Sequence, residues 1–293
     1  MDLNESSEIT ERKQEVAGLF SRAAPIYDHI GPRFFPHFGR HLVELAQIPS
    51  GARVLDIATG RGAVLFPAAE AVGSQGHVIG IDLSKEMVVR SREEIKRLNL
   101  QNVEVREMDA EYLEFPDEAF DCVLCSFAIF FFPQLDRALA EMYRVLKPKG
   151  RIAVTTWGPK DEQWKWYGNL IEAYLPPDEP ETEQTPDPQP EAKYVFNTSE
   201  GLEAILASAG FVDIKILFES EVFTYAGEEE WWSTLWSHGL RAELEMIENQ
   251  MGEDGLQRFQ ADAFKNIRAI KQADGIPQSF SVLFGLASRP QGD

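Results

Sequence analysis

The segment Val54-Leu-Asp-Ile-Ala-Thr-Gly-Arg-Gly62, followed by Gly80-Ile-Asp-Leu-Ser84, constrains this chain more than any other feature. A short apolar run that ends in a glycine-rich turn and re-enters as a helix predicts strand, turn and helix N-terminus in succession. Glycine suits such a turn because a side chain would occupy ligand space, and the helix start offers unpaired N–H groups. Asp82 lies 82 − 62 = 20 residues after Gly62, at the tip of the next strand. A carboxylate there suits a ribose, whose two hydroxyls it can accept. Two cofactors use this geometry, a nicotinamide dinucleotide and S-adenosylmethionine. The dinucleotide fingerprint wants a third glycine at position 65, where this chain has leucine. A Tyr-x-x-x-Lys pair of the short-chain dehydrogenase kind exists at Tyr143 and Lys147. The glycine spacing of that class is missing, so both read as ordinary helix residues.

Around this motif, strands are expected over 53–57, 77–81, 103–108, 120–127 and 151–157. They alternate with helices over 63–72, 84–98 and 133–146. Such alternation predicts a parallel sheet covered on both faces. Helical periodicity precedes it over 10–20 and 33–47. After it come helices over 161–174 and 199–208, and strands over 211–225 and 280–288. Two helices, over 228–249 and 253–271, lie between those strands. The fold class is therefore α/β: a doubly wound, mostly parallel, seven-stranded Rossmann-like sheet with an N-terminal helical cap and a late helical insertion. The expected divisions are a cap or lid over 1–50, a nucleotide-binding core over 51–157, and the rest of the sheet with helical insertions over 158–293. Within the last, residues 176–191 hold six prolines and six acidic residues among sixteen, with no basic one. That stretch cannot bury a core and reads as an exposed loop.

Lys and Arg number 28 against 48 Asp and Glu, a net charge of −20, which disfavours a nucleic-acid partner or an anionic membrane surface. No apolar run approaches the roughly 20 residues of a membrane span, and the acidic N-terminus has no signal-peptide core. Two cysteines cannot make a disulfide framework, which points to a reducing, cytoplasmic setting.

The strings VLDIATGRG, GIDLS with Met87, MDAEYLEFPDEAFDCVLCSFAI and LKPKGRIAVTTW together resemble the class I S-adenosylmethionine-dependent methyltransferases. The likeness is greatest to the branch of the menaquinone and ubiquinone biosynthesis methyltransferases, and it is strong over about residues 15–157. The resemblance implies S-adenosylmethionine as cofactor, S-adenosylhomocysteine as product and cofactor-site roles for matching positions. Asp56 would orient the turn and the methionine amino group; Ala58, where the family usually has glycine, Gly60 and Gly62 would line the methionine part. Asp82 would hold the ribose hydroxyls, and Leu83 and Met87 the adenine. Asp109, with the Ala110 N–H nearby, would meet the adenine amino group. Ser126 and Phe127 would touch the methionine part, and Tyr27 would close over the cofactor. The implied function is methyl transfer to a small, largely apolar acceptor, a phenol, quinol, terpenoid or amine, with carbon, oxygen and nitrogen all open. A non-catalytic cofactor-binding module and a nicotinamide-dependent dehydrogenase are the alternatives.

The catalytic residue stays open at this level. His29, His37, His41 and His238 are the candidates for a general base. No metal site is expected: Cys122 and Cys125, three apart on a strand, point to opposite faces. All six tryptophans fall between residues 157 and 236. They make either a local core or, with Phe127, Phe130, Phe131 and Phe132, an aromatic wall for the acceptor. Gly31 and Gly39 bound a segment that could swing as a lid. A homo-oligomer is neither required nor excluded by any of these features.

Overall fold

A computed structural model describes residues 3–175 and 194–291; the acidic, proline-rich stretch 176–191 lies outside the described residues. The elements run α1 (Leu3–Ala23), α2 (Phe34–Ala46), β1 (Arg53–Ile57), α3 (Leu65–Val72), β2 (His77–Asp82), α4 (Lys85–Arg97), β3 (Val103–Glu107), β4 (Phe120–Ser126), α5 (Leu135–Val145), β5 (Leu146–Trp157), α6 (Lys165–Tyr174), α7 (Ser199–Ser208), β6 (Val212–Tyr225), α8 (Glu228–Trp236), α9 (Arg241–Ile270) and β7 (Ile276–Ser288). They build one seven-stranded sheet of order β3-β2-β1-β4-β5-β7-β6. The first five strands are parallel to one another, and β7 runs antiparallel to both β5 and β6. The chain order reverses between β1 and β4, and the crevice at such a reversal is where these sheets bind ligands.

The central strands form because they are apolar on both faces, as a sheet covered on both sides demands. Val54, Leu55, Ile57, Val78, Ile79, Val123 and Leu124 are fully or almost fully buried. Cys122 and Cys125 fall in different core clusters, one on each face of the sheet, and both are free thiols. α2 packs flat on one face through Phe38 and Leu42, both fully buried. Burying side chains of that size stabilises by roughly 1.5–3 kcal/mol each. Gly39 faces the turn that leads into α3: a Cβ on it would lie 2.5 Å from the Ala63 carbonyl oxygen. A close approach of backbone to backbone therefore requires glycine at this position. Gly31 does turn the chain, with φ +74°.

Other expectations are corrected. Lys147 is in β5 and not in a helix; it pairs with Asp121 at 2.6 Å. The helix expected over 228–249 breaks after Trp236, where Ser237 folds back and its N–H and Oγ both donate to the Thr234 carbonyl. The division expected between residues 249 and 253 is present: α9 is two helical pieces that meet in a kink at Gly252, whose φ of +70° is left-handed. Five of the six tryptophans (164, 166, 231, 232 and 236) join a third cluster between α6, α8 and α9 with Phe259 and Ile267. They are local core. Trp157 alone of the six packs against the sheet cluster, stacked on Phe127 at 4.2 Å.

Candidate functional site

The turn after β1 is held open by three left-handed residues, Ala58 (φ +54°), Gly60 (+52°) and Gly62 (+88°). Alanine tolerates that region at a cost of about 1 kcal/mol, so glycine is not obligatory at 58. Thr59 anchors the turn: its N–H donates to the Ile81 carbonyl at 2.8 Å and its hydroxyl to Asp56 at 2.6 Å. Asp56 is buried, and that burial pushes its carboxyl up to about 7. Gly80 makes room for this anchor, since a Cβ there would lie 2.8 Å from the Thr59 hydroxyl.

Asp82 ends β2 facing the turn. One carboxylate oxygen accepts the Gly60 N–H and the other the Ser84 N–H, both at 2.8 Å. Burial pushes this carboxyl up to about 6, with the two backbone donors pulling against it. Each oxygen keeps lone-pair capacity for a further donor. Ser84 caps α4 by accepting the Met87 N–H, and its hydroxyl meets that of Ser21 at 2.8 Å. Past β4, the Ser126 hydroxyl meets Thr155 at 2.8 Å, and Phe127 sits at φ +52° with its N–H on Thr155.

These strand ends surround a cavity with about 790 Å³ of non-protein space, part of it open to solvent. Of the cofactor candidates, Tyr27, Ala58, Gly60, Asp82, Leu83, Met87, Asp109, Ala110, Ser126 and Phe127 line it. Asp56 and Gly62 are not part of the lining: Asp56 buttresses the turn from beneath, and Gly62 faces the Phe66 ring. Among the lining residues that sequence reasoning missed, four come from α1: Lys13, Val16, Ala17 and Phe20. Their signal was the apolar stripe of Val16, Leu19 and Phe20, visible but not assignable to a site. Lys13 donates to Asp109 at 2.8 Å and is ion-paired with the buried Glu111. Burial opposes its charge, but the two carboxylates outweigh burial and raise its pKa.

The donor set fits S-adenosylmethionine. Leu83, Met87 and Met108 offer apolar surface beside the carboxylate of Asp109, and Asp82 offers acceptors at a reach from both. Leu65, fully buried in the first turn of α3, stands where a dinucleotide turn wants its third glycine. Among the described residues no group of three or more His, Cys, Asp or Glu could hold a metal, and no helix is long and apolar enough to cross a membrane.

The four histidines separate. His29 and His37 are exposed. His41 lies between α2 and β6, bonded to Glu219 at 2.7 Å and Glu44 at 3.3 Å. Burial opposes its charge, but the carboxylates prevail and raise its pKa. His238 is buried in the break between α8 and α9, and burial lowers it to about 4. Its ring lies 5.5 Å from that of Tyr27 and 5.1 Å from those of Phe34 and Phe35. None of the four lines the cavity, but His238 touches Tyr27, which does.

Comparison with known proteins agrees with this geometry. A family model described as a methyltransferase domain matches residues 48–194. Aklanonic acid methyltransferase DauC of Streptomyces sp. (strain C5) is 44% identical over 144 residues, which is 49% of this chain and 66% of that one. Nocamycin O-methyltransferase of Saccharothrix syringae is 35% identical over 239 residues, 78% of this chain and 84% of that one. A demethylmenaquinone methyltransferase of Listeria welshimeri is 34% identical over 175 residues, 58% and 74% of the two chains. Among solved structures, the YcgJ protein of Bacillus subtilis matches with a TM-score of 0.56 at 20% identity, covering 87% of this chain and 100% of that one. At that identity the likeness speaks to the fold.

Proposed function

The chain belongs to the methyltransferase-domain family and is an S-adenosylmethionine-dependent methyltransferase; on that premise we propose that it methylates a small, largely apolar molecule. The observation that carries the acceptor reading is the aromatic group behind the cavity. Phe34, Phe35, Phe127, Trp157 and Phe280 contact one another there, with Phe34 stacked on Phe280 at 4.5 Å and Phe127 on Trp157 at 4.2 Å. Phe127 belongs to both the cavity lining and this group, and Tyr27 lines the cavity while stacking on Phe35. An aromatic group next to the methionine end of the cavity favours an apolar ligand there.

In this reading Asp82 accepts the two ribose hydroxyls while keeping the turn pinned through Gly60. Leu83 and Met87 cover the adenine faces, and Asp109 accepts from the adenine amino group. Ala58, Gly60, Ser126 and Phe127 meet the methionine part, with Asp56 and Gly62 shaping the turn behind them. Bound S-adenosylmethionine supplies a methyl group already activated on a sulfonium sulfur. The protein therefore binds, aligns and excludes water. The Tyr27 ring presents an aromatic face that favours a cation. α1, tied down by Lys13, forms the lid of the cap over 1–50; residues 51–157 hold the cofactor, and the acceptor side draws on 158–293. A cytoplasmic setting and an acceptor other than a nucleic acid, as the net charge of −20 favours, complete the proposal.

Calorimetry with S-adenosylmethionine, followed by S-adenosylhomocysteine release over a panel of aromatic acceptors, tests it. Binding with release is expected. Binding without release from any acceptor supports a non-catalytic module instead. An NADH fluorescence change on adding protein, without S-adenosylmethionine binding, supports the dehydrogenase.

A further inference from the structure

β6 is the outermost strand of the sheet, and among the described residues it pairs with β7 alone. Its outer edge therefore presents a row of N–H and C=O groups to which a further strand can add. Past the bulge between Val212 and Lys215, the register with β7 runs unbroken from Lys215 to Tyr225. One face of β6 changes character along its length. Ile214 and Ile216 pack against the core cluster that holds Leu202, Ile205 and Leu206 of α7. Phe218 and Val222 continue the same face, since side chains two apart share one side of a strand. They are 55% and 64% exposed. Proteins usually guard such an edge with charge, and β6 carries Asp213, Lys215, Glu219 and Glu221. The spacing of those charges decides what the edge accepts.

When two copies of one strand pair antiparallel about a twofold axis, residues equally far before and after the centre stand opposite each other. With the centre at Phe218, Lys215 (218 − 3) faces Glu221 (218 + 3) twice, once on each side of the axis. Phe218 meets its own copy on the axis, and Leu217 faces Glu219. Opposite charges that face each other stabilise a strand pair, and like charges destabilise it. No like charges face each other in this register. Centring on 216 or 217 brings Asp213 toward Glu219 or Glu221, centring on 219 sets Glu219 against itself, and centring on 220 sets it against Glu221. In every case Glu219 keeps His41 at 2.7 Å in its own chain. We propose that β6 docks a second copy of this chain, edge to edge and antiparallel, in the register centred on Phe218. The two seven-stranded sheets then continue through the contact, and the exposed Phe218 rings are covered by each other. This inference goes beyond the methyltransferase reading and stands without it.

Sedimentation velocity over a concentration series tests it, near physiological salt, where repulsion between two chains of net charge −20 is screened beyond about 8 Å. The wild type should show a monomer–dimer equilibrium. Lys215→Glu and Glu221→Lys each set like charges opposite in two places and should weaken the dimer by about ten- to a hundredfold. Carrying both substitutions restores opposite charges and should bring the dimer back to within about threefold of wild type. The two residues are about 20 Å apart along one strand, so no contact within a chain produces that rescue. Both are exposed and lie outside the cofactor cavity, so S-adenosylmethionine affinity should not change. A second readout is cross-linking by a short bismaleimide, to which the buried Cys122 and Cys125 do not contribute. Phe218→Cys should link to its own copy. Val222→Cys should not, being about 26 Å from its copy in this register. A wild type that stays monomeric at every concentration overturns the proposal, and slow amide exchange along β6 in that monomer would show the edge covered by the chain itself. A dimer indifferent to the single charge reversals, a double reversal that fails to restore it, or equal cross-linking of both cysteine variants also overturns it.

Discussion

The Asp82 carboxylate accepts the Gly60 N–H at 2.8 Å, so the side chain that ends β2 also fixes the turn that follows β1. Its second oxygen takes the Ser84 N–H and sets the start of α4. Ligand contact and turn geometry thus depend on one residue. Asp82→Ala should lose both and weaken S-adenosylmethionine binding by about 10² to 10⁴. Charge-assisted hydrogen bonds are worth roughly 1.5–3 kcal/mol each. Asp82→Asn keeps one acceptor oxygen and should lose about 10- to 100-fold on the same scale. Calorimetry on folded variants decides; near-normal affinity in Asp82→Ala would remove Asp82 from the ribose.

Two deeply buried carboxyls give the ligand-free protein an unusual pH dependence. Asp28 and Asp56 are each pushed up to about 7, in both cases chiefly by burial. A raised carboxyl means that the folded state holds a proton the unfolded state has lost. Stability should therefore fall as pH rises from the unfolded value near 4 through about 7. His238, lowered to about 4, acts with the opposite sign, but its contribution is complete above the ordinary histidine value of about 6.5. From pH 6.5 to 8 the loss should be on the order of 1 kcal/mol, read from urea midpoints. Asp56→Asn should flatten part of that slope. A stability that climbs over this interval would contradict the burial argument.

Lys13 ties α1 to the cavity across 96 residues of sequence through Asp109 and the buried Glu111. Lys13→Met removes the cation and strands Glu111, an arrangement that typically costs a few kcal/mol for a buried pair. Its effect should be local to α1. Amide exchange over residues 7–23 should quicken, and S-adenosylmethionine should dissociate faster, with exchange in β1 and β4 unchanged. Uniform loosening of the sheet would show that α1 is a structural part of the core and not a lid.

Gly39 is set by close packing against the turn that leads into α3. Gly39→Ala places a methyl 2.5 Å from the Ala63 carbonyl oxygen, which is backbone and cannot step aside. Overpacking of this kind costs typically 1–3 kcal/mol. The variant should melt lower while cofactor affinity per folded molecule stays unchanged. A stable Gly39→Ala protein with impaired turnover would place a hinge at this position instead.

The legible and illegible parts of this chain differ in the range of the interactions involved. Asp56, Asp82 and Asp109 announced themselves because a strand, its turn and its helix cap are neighbours in sequence, and the turn chemistry is local. The parallel strands were readable for the same reason, from apolar runs of four to seven residues. Lys13 was not, since its partners come from a strand end far along the chain. The break after Trp236 was hidden because Glu228–Asn249 keeps helical periodicity straight through it. The fold-back of Ser237 depends on Thr234 and on the packing of α8 against α9, which periodicity does not encode. The tryptophans carried no label either. Trp157, stacked on Phe127 against the sheet, and Trp231, in the α8 core, are separated by tertiary placement.

Tyr27 offers the sharpest test of how the cofactor site treats charge. Its ring stacks on Phe35 at 5.5 Å, meets Phe20 edge-on at 6.1 Å and lies 3.9 Å from the Cβ position of Gly60. Burial and the nearby Asp28 and Asp82 carboxylates raise its pKa, so the phenol stays neutral and what faces the cavity is an uncharged aromatic surface. Such a surface attracts a sulfonium by roughly 0.5–2 kcal/mol and has no such attraction for a thioether. The donor and its product differ in that charge. Tyr27→Leu keeps bulk and removes the π face, so it should weaken S-adenosylmethionine by about 2- to 30-fold relative to S-adenosylhomocysteine. Tyr27→Phe should keep the wild-type ratio. A purely packing role predicts that Tyr27→Leu weakens both ligands equally and lowers the melting temperature. An unchanged ratio of the two affinities would assign Tyr27 to the packing of the N-terminal segment and leave the sulfonium to other groups.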